Sequence, residues 1–161
     1  PKESNVATLT LTIPEQSQNI EGVAVIKAPL EKVFEAHTNA DLFKQWFARG
    51  NDATIHKFDA RSGGAWHLTE RSAEGEYSFC GSYHEVAKNE RIIWTFEFLG
   101  LPERGHVAIE RMDLVRIDDN TTEIRTLSTY QTVADRDGMV QSGMEAGWRE
   151  GLEAMEKLLN K

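Results

Sequence analysis

The sequence predicts a single soluble α+β domain in which a curved antiparallel sheet wraps around a long C-terminal helix and an apolar interior. Three observations predict it. From Asp52 to Tyr130 apolar residues recur at a period of two, interrupted by turn-forming residues. Near the C terminus Met144, Trp148, Leu152, Met155 and Leu159 follow one another at helical spacing. Only the apolar face of the strands is large enough to cover that stripe, so the sheet has to bend around the helix. A chain of 161 residues fits one core. The whole of 1–161 is therefore taken as one unit, with 1–19 as an N-terminal strand and extension and 142–160 as the long helix.

Val6 to Ile13 alternate apolar and polar side chains before Pro14, and Gly22 to Ile26 alternate again, so each predicts a strand, the first at an edge. Pro29 suits the first turn of a helix, and Leu30, Val33, Phe34 and His37 then recur at helical spacing. Asn39 caps a second short helix, with Leu42, Phe43, Trp46 and Phe47 crowded on one side. Turn signals at Gly63-Gly64, Glu74-Gly75, Asn89, Gly100 to Pro102 and Asp118 to Asn120 divide the next stretch into about six strands. Trp66, Leu68 and Glu70 share one face of these strands, as do Phe79, Gly81 and Tyr83, and Ile92, Trp94, Phe96 and Phe98. Their alternate neighbours, among them His67, Thr69, Ser82, Thr95 and Glu97, are mainly polar and face water. Ser142-Gly143-Met144-Glu145 has the spacing of a capping box and starts the long helix, where Gly147 and Gly151 admit a close neighbour.

A formal net charge of -8 repels phosphate backbones, which excludes nucleic acid as a partner. No apolar run approaches the length of a membrane span, and Pro1 to Thr8 lack a signal-peptide core, so a cytoplasmic protein is expected. Cys80 is the only cysteine, and no pair among His37, His56, His67, His84 and His106 has the short spacing common in metal sites. The sequence implies no metal and no cofactor. Gly63-Gly64 lacks the setting of a phosphate loop, and no GxSxG elbow occurs.

The order of elements and five strings resemble the START-like, birch-pollen-allergen-like (SRPBCC) superfamily. The strings are Ala28-Pro29-Leu30-Glu31-Lys32-Val33-Phe34, Trp46-Phe47, Ser62-Gly63-Gly64-Ala65-Trp66, Gly81-Ser82-Tyr83-His84-Glu85-Val86 and the segment from Asp135 through Gly138-Met139-Val140 to Glu145. Within the superfamily the likeness is to the domain related to the activator of the ninety-kilodalton heat-shock protein's ATPase. It implies a helix-grip fold, with about seven antiparallel strands folded around the last helix and the two short helices closing one end; fold transfers from such a likeness and function does not. Relatives bind lipids, sterols, plant hormones or polyketides between sheet and helix, and some are cyclases or hydrolases. Cochaperone activity in that family belongs to larger proteins with a separate N-terminal domain.

A sheet bent around a helix leaves space that side chains fill or a ligand occupies. Trp46, Phe47, Trp66, Phe79, Trp94, Phe96 and Trp148 offer an aromatic lining, with Leu68, Met112 and Met144 beside them; plain core packing is the competing account of each ring. Glu70 and Glu110 fall on the inward parity, where a carboxyl of raised pKa serves as acid, base or polar anchor. The alternatives are a wet position at the rim or pairing with Arg71 or Arg111, and Ile109 on the other parity leaves room for a face-swapping bulge. Tyr130, with Thr126 and Ser128, adds hydroxyls at the mouth. Three functions compete: binding of a small hydrophobic molecule, a polyketide-cyclase-like enzyme with an inward carboxylate as general base, and a protein-interaction module with a filled core. The expected partner is the small hydrophobic molecule, and a homodimer stays open. Trp148 is expected to be largely buried against the sheet, and Gly151→Leu to report whether the space beside it is empty.

Overall fold

The computed structural model describes residues 7–161, so Val6, the predicted start of the first strand, lies outside the described residues. Strands β1 (Thr8–Thr12) and β2 (Asn19–Ile26) precede helices α1 (Leu30–Thr38) and α2 (Ala40–Phe47). Six strands follow: β3 (Asp52–Phe58), β4 (Ala65–Ser72), β5 (Gly75–Ala87), β6 (Arg91–Phe98), β7 (Val107–Asp118) and β8 (Thr121–Thr129). Helices α3 (Val133–Gln141) and α4 (Met144–Leu159) end the chain.

All eight strands form one sheet in the order β1-β2-β8-β7-β6-β5-β4-β3. The meander from β3 to β8 is the one the period-two pattern predicts, and β2 adds to it by pairing with β8. β1 pairs only with β2 and forms the expected edge, which makes eight strands where the resemblance implies about seven. Register shifts at Ile55/Lys57, Tyr83/Glu85 and Arg116/Asp118 coil the sheet into a helix grip.

Two local expectations give way. Helix α3 carries no apolar stripe and is not predicted; the Thr132 side chain caps it by accepting from the Asp135 N–H. The buried Arg136 then ties α3 to the β1–β2 connection by donating to the Pro14 and Asn19 carbonyls at 2.7 and 3.0 Å. Nor does Ser142 open the long helix, because its hydroxyl donates to the Met139 carbonyl at 2.6 Å and closes α3 instead. Helix α4 begins at Met144 after Gly143, whose φ of 86° is the left-handed turn between the two helices, and no side chain caps it.

The main core joins both ends of the chain: Ala24 and Ile26 of β2, Val33 of α1, Phe43 of α2, Trp66 and Leu68 of β4, and Leu152 and Met155 of α4. Helix α4 packs principally on α2, then on α1, α3 and β1. Its C-terminal half takes that packing, with Leu152 and Met155 at 2% and 0% exposure, while Met144 and Trp148 in its first half are only half-buried. The expected deep burial of Trp148 is thus corrected. Its ring lies over Gly22 of β2, where a Cβ would stand 3.0 Å from the ring and 2.6 Å from the Thr126 hydroxyl.

Candidate functional site

The predicted aromatic lining divides into two groups. Trp46, Trp66 and Leu68 are buried and belong to the packed core. At their centre stands Phe43, whose ring lies 5.3 Å from Trp46, 4.9 Å from Phe47, 5.0 Å from Phe58 and 5.9 Å from both Trp66 and Trp94. One phenylalanine from α2 therefore fills the space beneath that helix. Sequence reasoning placed Phe43 on the correct helix face but not in the candidate site; its spacing with Phe47 on one short helix was the available signal.

The second group stays half-buried. Phe79 of β5, Phe96 and Phe98 of β6, Met112 of β7 and Trp148 of α4 all keep part of their surface open. Phe79 lies 5.4 Å from both Phe96 and Phe98, and Trp94, also half-buried, stacks on Trp66 at 4.4 Å. These residues form a strip along the sheet's concave face that the principal packing of α4 does not cover.

Glu110 lies in this strip on the inward parity, so no bulge swaps the faces at Ile109, which is 56% exposed on the outer side. Cross-strand register places it between Trp94 on β6 and Ser128 on β8. The Trp94 indole donates to Oε1 at 2.8 Å and the Ser128 hydroxyl to Oε2 at 3.0 Å. Burial raises its pKa above the usual carboxylate value, and those two hydrogen bonds oppose the rise. Tyr130, buried at the end of β8, has its phenol pushed up first by burial and then by the Glu110 charge. Tyr130 packs with Ile20 and Ala108, and Met139, Val140 and Met144 cover that end.

Glu70 is 3% exposed on β4 and points inward as predicted, but its partner is neither Arg71 nor water. Arg49, in the turn after α2, donates to it at 2.8 Å and lies 3.6 Å from Glu150 of α4. Burial raises the Glu70 pKa, the Arg49 charge opposes this, and Glu150 adds to it. Arg71 pairs instead with Glu76, and Arg111 with Asp113 rather than Glu110. An open cleft of about 480 Å³ is lined by these groups and by Glu74, Tyr77 and Phe79, so the aromatic strip reaches it at Phe79. A second cleft, of about 370 Å³, lies around Cys80, Ser82, Thr95, Glu97 and Arg104.

Among the described residues no helix is long and apolar enough to cross a membrane, and no group of three or more His, Cys, Asp or Glu side chains is arranged to hold a metal ion. The model of the family described as activator of Hsp90 ATPase homolog 1-like protein matches residues 27–160. The chain belongs to this family. Both the superfamily and the subfamily that the sequence strings resemble are thereby shown. No curated protein sequence matches the chain. Solved structures repeat the helix grip of this AHSA1-like chain. The protein Ms6760 from Mycobacterium smegmatis superposes with a TM-score of 0.82 at 14% identity, over 94% of this chain and 97% of its own. A Rhodobacter sphaeroides protein gives 0.81 at 21% identity, over 95% and 98%. An HSP90 activator from Plasmodium falciparum gives 0.61 at 20% identity, over 82% and 88%. At such identities the likeness is one of fold.

Proposed function

We propose that this AHSA1-like protein binds a small, largely apolar molecule between the concave face of the sheet and the first half of α4. One observation carries the reading. Phe79, Phe96 and Phe98 stay half-buried in mutual contact on the concave face, and Met112 of β7 and Trp148 of α4 stay half-buried as well. A concave apolar strip with a few polar groups is the usual make-up of a ligand site, and at Phe79 it meets an open cleft of about 480 Å³ lined mainly by polar side chains.

The rival functions fit less well. Exposed Leu127 stands between Glu21 and Arg111 on the outer face, and exposed Val23 beside Arg125, so charges interrupt the apolar surface an interaction module would need. Hydrogen bonds from Trp94 and Ser128, one to each oxygen, hold the Glu110 carboxyl in a fixed orientation, as a polar anchor requires.

The test is native mass spectrometry of the purified protein for a copurified molecule, followed by a thermal-shift panel of apolar compounds with titration calorimetry of the hits. A ligand that prefers the folded state raises the melting temperature in proportion to its excess over Kd. An unliganded mass together with no stabilising compound in a broad panel would count against binding.

A further inference from the structure

Among the described residues no positive side chain pairs with Glu110. Its two hydrogen bonds come from neutral donors, Trp94 and Ser128. Two donors use about half of the lone-pair sites a carboxylate offers. Two other buried acids pair with a cation, Glu70 with Arg49 at 2.8 Å and Glu97 with Arg104 at 3.0 Å, while buried Glu156 accepts from the Lys27 backbone N–H. Of these acids Glu110 is the one in the half-buried strip. Two aromatic residues stand beside it: Trp94, its cross-strand neighbour, which turns its indole N–H edge to the carboxylate, and Tyr130, whose phenol feels its charge.

A carboxylate beside a strip of aromatic side chains suits an organic cation, since the acid supplies the counter-charge and rings along the strip attract positive charge through their quadrupole. The open cleft that the strip meets at Phe79 has the same sign. Glu70, Glu74 and Glu150 line the open cleft against a single Arg49, and the chain as a whole carries -8. That field concentrates cations at the cleft and turns away fatty-acid anions, which would also have to desolvate a second negative charge beside Glu110. Resting on the ligand-binding reading above, we infer that the molecule bound here is an amphipathic organic cation: an apolar body with a protonated amine that pairs with Glu110. The aromatic strip takes the body and the carboxylate selects the head.

The experiment compares three probes of one shape, naphthylmethylamine, naphthalenemethanol and naphthoate, by calorimetry on the unmodified protein. The amine should bind about tenfold or more tightly than the alcohol, as a charged hydrogen bond in a desolvated site provides, and the acid should bind least. A built-in reporter locates the head group. In a proton–nitrogen correlation spectrum the Trp94 indole, which donates to Glu110, should shift on adding the amine, whereas the Trp46 indole, bonded to the Ala36 carbonyl, should stay in place. Glu110→Gln should reduce the amine to the affinity of the alcohol; if that variant fails to fold, the indole shifts in the unmodified protein decide alone. Equal binding of amine and alcohol overturns the cationic head group while the ligand-binding reading stands. Amine selectivity that survives Glu110→Gln, or leaves the Trp94 indole unmoved, overturns the assignment to Glu110. Binding by none of the three overturns this inference and counts against the reading on which it rests.

Discussion

His37 sits in the wall between α1 and α2, 8% exposed, with Nδ1 donating to the Val33 carbonyl at 2.7 Å and its ring 5.0 Å from Trp46. Burial lowers its pKa from 6.5 to about 4, so the folded protein holds a neutral imidazole. The sign of the consequence follows from proton counting. As pH falls from 6.5 towards 4 the unfolded chain takes up a proton that the folded one refuses, so stability declines through that window and levels off below it. The full effect is on the order of 3 kcal/mol. Denaturation midpoints measured across the window should show a shallower acid slope for His37→Leu than for the unmodified protein; equal slopes would show that His37 does not control it. Glu110 works in the opposite sense. Its folded pKa is raised, so its charge weakens the fold increasingly as pH rises through that value. Glu110→Gln should therefore raise the melting temperature at pH 8 and lose the gain in acid, unlike the usual destabilising core change. A variant less stable than the parent at pH 8 would contradict an uncompensated charge.

At the scale of elements, α4 meets α2 at Gly151. A Cβ there would lie 3.4 Å from the Trp46 carbonyl and 3.6 Å from its ring, so the position borders α2 and not free volume. Gly151→Leu should push α4 off α2 and cost about 1–3 kcal/mol in chemical denaturation, the usual penalty of overpacking. An unchanged midpoint would mean that α4 packs elsewhere. The same contact shows what was legible beforehand. The stripe from Met144 to Leu159 and the inward parity of Glu70 and Glu110 are local patterns, read from spacing alone. The half-burial of Trp148 is not local, because it depends on α4 leaning on α1 and α2 and on Gly22 lying under the ring. Helix α3 was illegible for a similar reason: it depends on Arg136 reaching Pro14 and Asn19, far away in the chain. Glu70 could have been partly resolved earlier. Successive strand residues point to opposite faces, so Arg71 was never placed to meet it, but Arg49 enters only through the turn after α2.

Across the whole molecule the interior has a solid half and an open half, and they can be perturbed separately. Beneath α2 the rings around Phe43 leave it 1% exposed. Beneath the first half of α4 the strip from Phe79 to Trp148 keeps surface that no side chain covers fully. Removing Phe43 attacks the first half only. Phe43→Ala should cost about 3–5 kcal/mol, as the loss of a buried ring does. Any apolar ligand should nevertheless bind the remaining folded protein with near-parental affinity. Filling the second half should do the reverse. Met112→Trp adds a ring at a side chain that keeps part of its surface open, so the denaturation midpoint should move little while ligand affinity falls by about tenfold or more, since the added ring takes contact area from the ligand. The measurement is paired, with midpoints from urea titration and affinities from calorimetry on the same three proteins. If Met112→Trp destabilises as strongly as Phe43→Ala, the strip is packed core like the rest and the division fails. If it leaves affinity untouched, the ligand lies elsewhere on the molecule.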